Sequence, residues 1–307
     1  MTAPPSHVGF VGLGSMGSAL ARRLAAADDV TLTVFDLDDS RCRELAAAGA
    51  VIAESPRDLA KVSDVVLTCL PTSQHVEAVV FNESGLADGL AEGALLVDCT
   101  SGHPALTRDI GAKLAARRVA MVDAPVSGGP QGAEAGTIAL LAGGTAGDVA
   151  RASLVLSLIS PNVRHVGDLG AGHTVKLLNN ILAAGHRMLA FETAAVAAAN
   201  GVDPQTFIEA VNISSGRSNA TQVTMPRHVF GERLEQGFSL GLMAKDVGQG
   251  CTLYGPQLDE PSLAQEVEAR LRAAVSRFGP DADINRTLEI YEEAVGRTVA
   301  TSRRDGA

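Results

Sequence analysis

Three glycines, Gly12, Gly14 and Gly17, stand between the apolar run HVGFV and the amphipathic run SALARRL near the start of this chain. A strand that becomes a helix within a few residues needs a backbone that few residue types permit, so this spacing constrains the fold more than any other feature. Gly12 allows the tight turn, Gly14 lets the backbone approach a pyrophosphate, and Gly17 lets the helix pack on the strand before it. The helix N-terminus adds favourable charge at the same point. The pattern predicts an α/β fold, a Rossmann-type doubly wound sheet, with a dinucleotide held by Gly12, Leu13, Gly14, Ser15, Met16 and Gly17. The Met16 side chain, like those of Met188 and Met243, is read as packing.

The rest of residues 7–165 keeps one rhythm of short Val/Ile/Leu-rich run, turn and amphipathic stretch, which signals parallel strands with crossover helices. The strand candidates are HVGFV, TLTVF, DVVLTCL, ALLVDC, AMVDAPV, TIALLAG and NVRHVG, apolar enough for a sheet covered on both faces. Asp36 closes the second of them, 19 residues after Gly17. A carboxylate there accepts hydrogen bonds from both ribose hydroxyls and repels a 2′-phosphate, so NAD is expected in preference to NADP. A second reading makes Asp36 the cap of the next helix, and Arg41 and Arg43 are near enough to keep NADP open.

The character changes near Gly170, after which no convincing strand follows and helical spacing dominates, punctuated by GVDP, SSGR and YGPQ. The stretch from His173 to Gly201 has no proline, so an interdomain helix of about 40 Å is expected. Two domains result, with residues 1–165 binding NAD and residues 166–307 all-α.

Composition narrows the functions. A formal charge of -10 and no basic block longer than an Arg doublet argue against nucleic acid as a partner. The apolar run from Thr174 is broken by Lys176, Asn179, Asn180, His186, Arg187 and Glu192, so no membrane span is expected. Four scattered cysteines suit thiols in a reducing compartment, and the leader MTAPPS is too short for a targeting peptide; a cytoplasmic protein is expected. The seven histidines show no metal-ligand spacing, so no metal is expected.

The stretch GAGHTVKLLNN sets Lys176 in an apolar helical run with Asn180 one turn on. With DAPVSGGPQGAEAGT, GDLGAGHTVKLLNN and LMAKDVG in this order, the chain resembles the β-hydroxyacid dehydrogenase family, most closely the 3-hydroxyisobutyrate dehydrogenase branch, from Gly9 to about Gly250. The resemblance implies that Ser127, Gly128 and Gly129 bind a substrate carboxylate and that Lys176 is catalytic with Asn180 beside it. It implies further that Leu70, Pro71, Ser101 and Lys245 contact NAD, and that His75 lies near the cofactor. Residues 166–307 become a substrate and dimerisation domain, and a homodimer or homotetramer is expected. The fragment NISSGRSNA also looks like that branch.

The residues support this independently. Positions i and i+4 share a helix face, so Lys176 and Asn180 both reach one oxygen. A buried amine whose pKa is lowered by burial and nearby cations takes a hydroxyl proton as hydride leaves the adjacent carbon. The plainer reading is that Lys176 snorkels from an ordinary helix. Ser127, Gly128 and Gly129 form either an anion nest or a mere turn, and Lys245-Asp246 either a cofactor contact or a surface pair.

Two segments depart from the family pattern. DCTSGHP has Gly102-His103 where an aliphatic residue commonly follows a Ser/Thr pair, and the segment from Arg217 to Gly237 is short and brings Arg217, Arg227 and His228, which suits a second anionic or polar substrate group. The expected reaction is NAD-dependent oxidation of a small 3-hydroxy acid to its semialdehyde, 3-hydroxyisobutyrate first. Tartronate semialdehyde, a threonate-like sugar acid and a sulfonated analogue are alternatives, as is a non-catalytic dinucleotide-binding sensor.

Overall fold

Apolar runs flanked by turn residues form the strands of one sheet: β1 (His7–Val11), β2 (Thr31–Phe35), β3 (Val51–Ile52), β4 (Val65–Thr68), β5 (Leu95–Asp98), β6 (Ala120–Asp123), β7 (Val126–Ser127), β8 (Ala139–Gly143) and β9 (Val163–Gly167). The computed structural model describes residues 6–255 and 262–301. The residues MTAPP of the leader, Pro256 and Gln257 of the YGPQ turn, and the Arg303-Arg304 doublet lie outside them. Between the strands run α1 (Ser15–Ala25), α2 (Asp39–Ala46), α3 (Pro56–Lys61), α4 (Ser73–Phe81), α5 (Pro104–Ala115), α6 (Gly129–Glu134) and α7 (Ala146–Ile159). There follow α8 (Ala171–Ala199), α9 (Pro204–Asn212), α10 (Leu240–Cys251), α11 (Leu263–Phe278) and α12 (Leu288–Val295).

Strand order is β3-β2-β1-β4-β5-β6-β8-β7, and β9 pairs with β8. The order reverses between β1 and β4, and in such sheets ligands bind beyond the carboxyl ends of the strands at that reversal. Alternate residues serve opposite faces. Val65, Leu67, Leu95 and Val97 pack with Leu20 and Leu24 of α1 and Val155 and Ile159 of α7. Val66 and Leu96 pack with Leu59 of α3, Val76 of α4 and Ile110 of α5. Helices on both faces explain the near-continuous apolar strands.

Three details differ from the sequence expectation. AMVDAPV divides into β6 and β7 around Ala124-Pro125, where proline has no N–H to give a ladder. β8 then runs antiparallel to both β6 and β7. β3 was not foreseen: its two residues are exposed and pair only with β2.

The chain divides into two compact units at the Lys176–Leu177 bond, inside α8. With 29 residues, α8 is about 43 Å long. It stops at Asn200-Gly201, where Gly201 takes a φ of 80°. In the second unit the described residues form helices and a single isolated bridge, Ser239 to Asp283. Two apolar clusters build it: Phe191, Ala194 and Ala195 with Ile208, Met225 and Leu288, and Ile181, Ala184 and Met188 with Val247, Leu271 and Ala274. Ala220–Val229 is a π-helix containing Pro226, and the N–H of Phe230 reaches the Met225 carbonyl five residues back.

Phe10 of β1 is fully buried against α1. Phe10→Ala is expected to cost about 3–5 kcal/mol in chemical denaturation; a loss near zero would contradict the packing.

Candidate active site

The carboxyl ends of the strands carry the first-unit candidates. At Gly12 φ is 95°, and a Cβ there would lie 2.4 Å from the Cys69 carbonyl oxygen. A Cβ on Gly17 would lie 1.9 Å from the Gly12 oxygen. These two glycines therefore serve the fold. Gly14 differs: its nearest non-neighbouring atom is Arg41 Nη1, at 3.8 Å. Gly14 caps α1 without a side-chain acceptor, so N–H groups of the first turn, at Ser15, Met16 and Gly17, face an open cradle. That cradle fits the pyrophosphate of a dinucleotide. The Leu13 side chain is core, Met16 is half-buried against the same core, and Ser15 is exposed.

Asp36 joins two loops. Its Oδ2 accepts the Leu13 N–H at 2.5 Å and its Oδ1 the Asp38 N–H at 2.9 Å. The cap of α2 is Asp38, which accepts from the N–H and hydroxyl of Ser40 at 3.0 and 2.6 Å. Asp36 is thus free of capping duty, and each of its oxygens keeps a lone pair for a ribose hydroxyl. Arg41 pairs with Asp38 at 3.3 Å on the surface.

The loops after β4 and β5 are tied to each other. Asp98 is fully buried, and its Oδ1 accepts from Thr68 Oγ1 at 2.9 Å and the Thr100 N–H at 3.0 Å. Thr100 Oγ1 accepts the Leu70 N–H at 3.0 Å. Leu70, Pro71 and Ser101 are therefore held at the same edge as Gly12, against which Leu70 packs. His75 is exposed and contacts the α4 cap Thr72, its Nδ1 2.8 Å from Thr72 Oγ1.

Ser127 closes β7, opposite Ala139. Gly128 (φ 141°) and Gly129 (φ 72°) follow it, and nothing lies within 4 Å of a Cβ on Gly129. Positive φ values of this kind are open to glycine and strained for other residues.

Lys176 is 9% exposed on α8. Its helix starts on Asp123 of β6, whose Oδ1 accepts the Gly170 N–H and whose Oδ2 accepts the His173 N–H, each at 2.7 Å. Burial raises the Asp123 pKa, against the lowering influence of His173 and of the Gly170 and His173 amides, while Asp98 raises it further. The folded chain binds this proton more readily than the unfolded one, so its stabilising share is full in acid and fades as pH rises through the folded pKa.

One turn beyond Lys176, Asn180 is buried and donates from Nδ2 to Asp246 Oδ2 at 2.7 Å. Asp246 Oδ1 lies 2.9 Å from Lys245 Nζ. The reading of Lys245-Asp246 as a surface pair is corrected here, since Asp246 is 3% exposed and sits mid-way along α10. Sequence reasoning named Asp246 only as the neighbour of Lys245 and missed its bond to Asn180. The signal was an acid beside Lys245 in the run LMAKDVG. Arg217 and Arg227 are exposed, and Arg227 and His228 lie on the π-helix.

Residues 7–167 match the model for the NAD-binding domain of 6-phosphogluconate dehydrogenase, and residues 170–291 match that for the NAD-binding region of NADP-dependent 3-hydroxyisobutyrate dehydrogenase. The chain belongs to the β-hydroxyacid dehydrogenase family. It is 38% identical to an NAD-dependent L-serine dehydrogenase of Pseudomonas aeruginosa over 79% of this chain and 83% of that one. It is 35% identical to a 2-(hydroxymethyl)glutarate dehydrogenase of Eubacterium barkeri, over 78% of this chain and 80% of the relative. A solved structure of Mycobacterium tuberculosis 3-hydroxyisobutyrate dehydrogenase with L-serine superposes with a TM-score of 0.85 at 26% identity, covering 93% of this chain and 98% of its own. This β-hydroxyacid dehydrogenase is an NAD(P)-dependent enzyme whose Asp36 suits NAD. No helix among its described residues is long and apolar enough to cross a membrane.

The glycines can be told apart by substitution. Gly14→Val is expected to weaken NAD binding about tenfold or more by calorimetry while moving Tm no more than about 2–4 °C. Gly17→Val should instead lower Tm or abolish folding, because its side chain meets backbone.

Proposed function

We propose that this β-hydroxyacid dehydrogenase oxidises a small 3-hydroxy acid to its semialdehyde with NAD, 3-hydroxyisobutyrate being the first candidate. The observation that carries the reading is a nearly buried lysine on a helix fixed to the sheet by a buried carboxylate, with an amide oriented one turn away. The names of the three relatives share one chemistry: hydroxyisobutyrate, serine and hydroxymethylglutarate each carry CH2OH on the carbon that bears a carboxylate. Residues 1–165 hold the cofactor, with Gly12, Leu13, Gly14, Ser15, Met16, Gly17, Asp36, Leu70, Pro71 and Ser101 as its contacts, joined by Lys245. Residues 166–307 supply substrate contacts and self-association.

NAD, when bound, supplies the hydride acceptor for the carbinol carbon. Lys176, as the neutral amine, takes the hydroxyl proton in the same step, and in reduction its ammonium returns it. Asn180 gives one Nδ2 hydrogen to Asp246 and its oxygen accepts from Asn179 Nδ2 at 3.4 Å, so its second N–H and a remaining lone pair on the oxygen serve to orient the lysine or the hydroxyl. Ser127, Gly128 and Gly129 bind the substrate carboxylate and so fix which carbon is oxidised. Tartronate semialdehyde, a threonate-like acid and a sulfonated analogue fit the same donors, whereas a non-catalytic sensor has no need of a buried lysine.

Self-association as a homodimer or homotetramer is supported by α8, where Val175, Leu178, Leu182, Leu189 and Val196 remain exposed at spacings of three, four and seven. Four free thiols suit a reducing cytoplasm.

A panel of 3-hydroxyisobutyrate, L-serine, 2-(hydroxymethyl)glutarate, glycerate and threonate with NAD and NADP tests the reading: turnover should favour NAD and acids bearing CH2OH beside the carboxylate. Lys176→Ala should lower kcat about 10²–10⁴-fold with NAD affinity unchanged; a variant keeping most of its turnover refutes the lysine's role. Leu182→Glu with Leu189→Glu should reduce the sedimenting mass to that of one chain.

A further inference from the structure

Beneath the first turn of α8 the first unit buries three titratable groups that the proposed reaction does not use. Asp98, Asp123 and His173 are all 0% exposed. His173 Nε2 lies 3.8 Å from Asp98 Oδ2, and His173 Nδ1 lies 3.8 Å from Asp123 Oδ2. Thr107 Oγ1 lies 2.8 Å from His173 Nδ1 and 3.1 Å from the His103 carbonyl oxygen, so its hydroxyl ties the imidazole to the start of α5. Nε2 is left facing Asp98 Oδ2, and neither atom has a hydrogen-bond partner among the described residues. No group of three such side chains among the described residues has the arrangement of a metal site.

The sequence yields space for this imidazole. Gly102 stands where the family pattern commonly has an aliphatic residue, and a Cβ there would lie 2.7 Å from His173 Cε1 and 2.5 Å from Ser73 Oγ. Gly172 and Gly143 clear the Asp123 carboxylate in the same way, at 2.8 and 2.4 Å. Three positions without side chains thus surround one buried cluster; Asp98 takes the Thr100 N–H, and Asp123 takes those of Gly170 and His173, the latter three residues before Lys176.

We propose that Asp98, Asp123 and His173 act as positioning residues for Lys176, clamping the first turn of α8 to the ends of β5 and β6 so that the amine is held at the carbinol oxygen. The proposal rests on Lys176 being the acid/base group. Asp123 fixes the height of the turn through two N–H groups, and His173, held between two carboxylates and Thr107, fixes its rotation. Residues 173 and 176 share a helix face, so a rotation that frees the imidazole also swings the lysine. A misplacement of about 1 Å at a reacting group costs on the order of 10²-fold in rate.

The test uses the full-length enzyme and the best hydroxy acid of the panel, with turnover expressed per NADH-binding site so that misfolded protein is not counted. His173→Ala should lower per-site kcat about 10- to 100-fold, with KM for the hydroxy acid and Kd for NAD within about twofold. His173→Gln, which keeps a donor toward Thr107 or Asp98, should recover part of the loss. Asp123→Asn should follow His173→Ala if it folds; if it does not, the two His173 variants decide. Per-site kcat within twofold of the unaltered enzyme in His173→Ala, or a loss shared equally by NAD binding, overturns the proposal. Lys176→Ala run alongside separates the two ideas. If it abolishes turnover while His173→Ala does not, the lysine reading stands and the clamp falls; if it turns over normally, the reading itself falls.

Discussion

The buried carboxylate of Asp123 is the constraint on which the active-site side of the first unit depends. It closes β6, the last strand of the parallel series, and accepts both N–H groups at the start of α8. A helix start leaves several amide donors without partners, and burial makes that expensive, so a carboxylate at this point stabilises the turn and chooses where the helix begins. Burial opposes this by raising the Asp123 pKa, since a carboxylate is harder to ionise inside the protein than in water. A group held against its solvation preference is better understood through what it fixes, and what it fixes is the root of the helix bearing Lys176.

The glycines divide the same way when their surroundings are considered. Gly12 and Gly17 are required because backbone atoms occupy the space a Cβ would fill, whereas Gly14 and Gly129 face open space. The first pair shapes the scaffold and the second lets something approach it. The spacing of the motif does not distinguish these roles; the neighbouring atoms do.

Much of this was legible in the residues. The strand, glycine triplet and helix announced the sheet and its reversal point, and the seven apolar runs marked every strand among the described residues except β3, AMVDAPV covering both β6 and β7; burial on both faces demands such hydrophobicity of the central strands, though not of the largely exposed β9. β3 escaped because Val51 and Ile52 are exposed and held by pairing with β2 alone. The break at Pro125 and the reversal at β8 escaped because a run of apolar residues carries no information about strand direction. The spacing of Lys176 and Asn180 put them on one helix face, but the bond from Asn180 to Asp246, 66 residues on, was not visible, since only the packing of helices in the second unit unites them. The ambiguity over Asp36 is settled partly nearby and partly at a distance: Asp38 takes the helix cap, and Leu13, 23 residues away in sequence, donates to Asp36.

The bond from the Leu13 amide to Asp36 carries a further consequence. An unrestrained aspartate at a loop sacrifices rotamer freedom whenever it grips a ligand, and that loss subtracts from affinity. Here the two amide donors have already chosen the rotamer, so in the proposed NAD complex the carboxylate meets the ribose with its conformational entropy spent during folding.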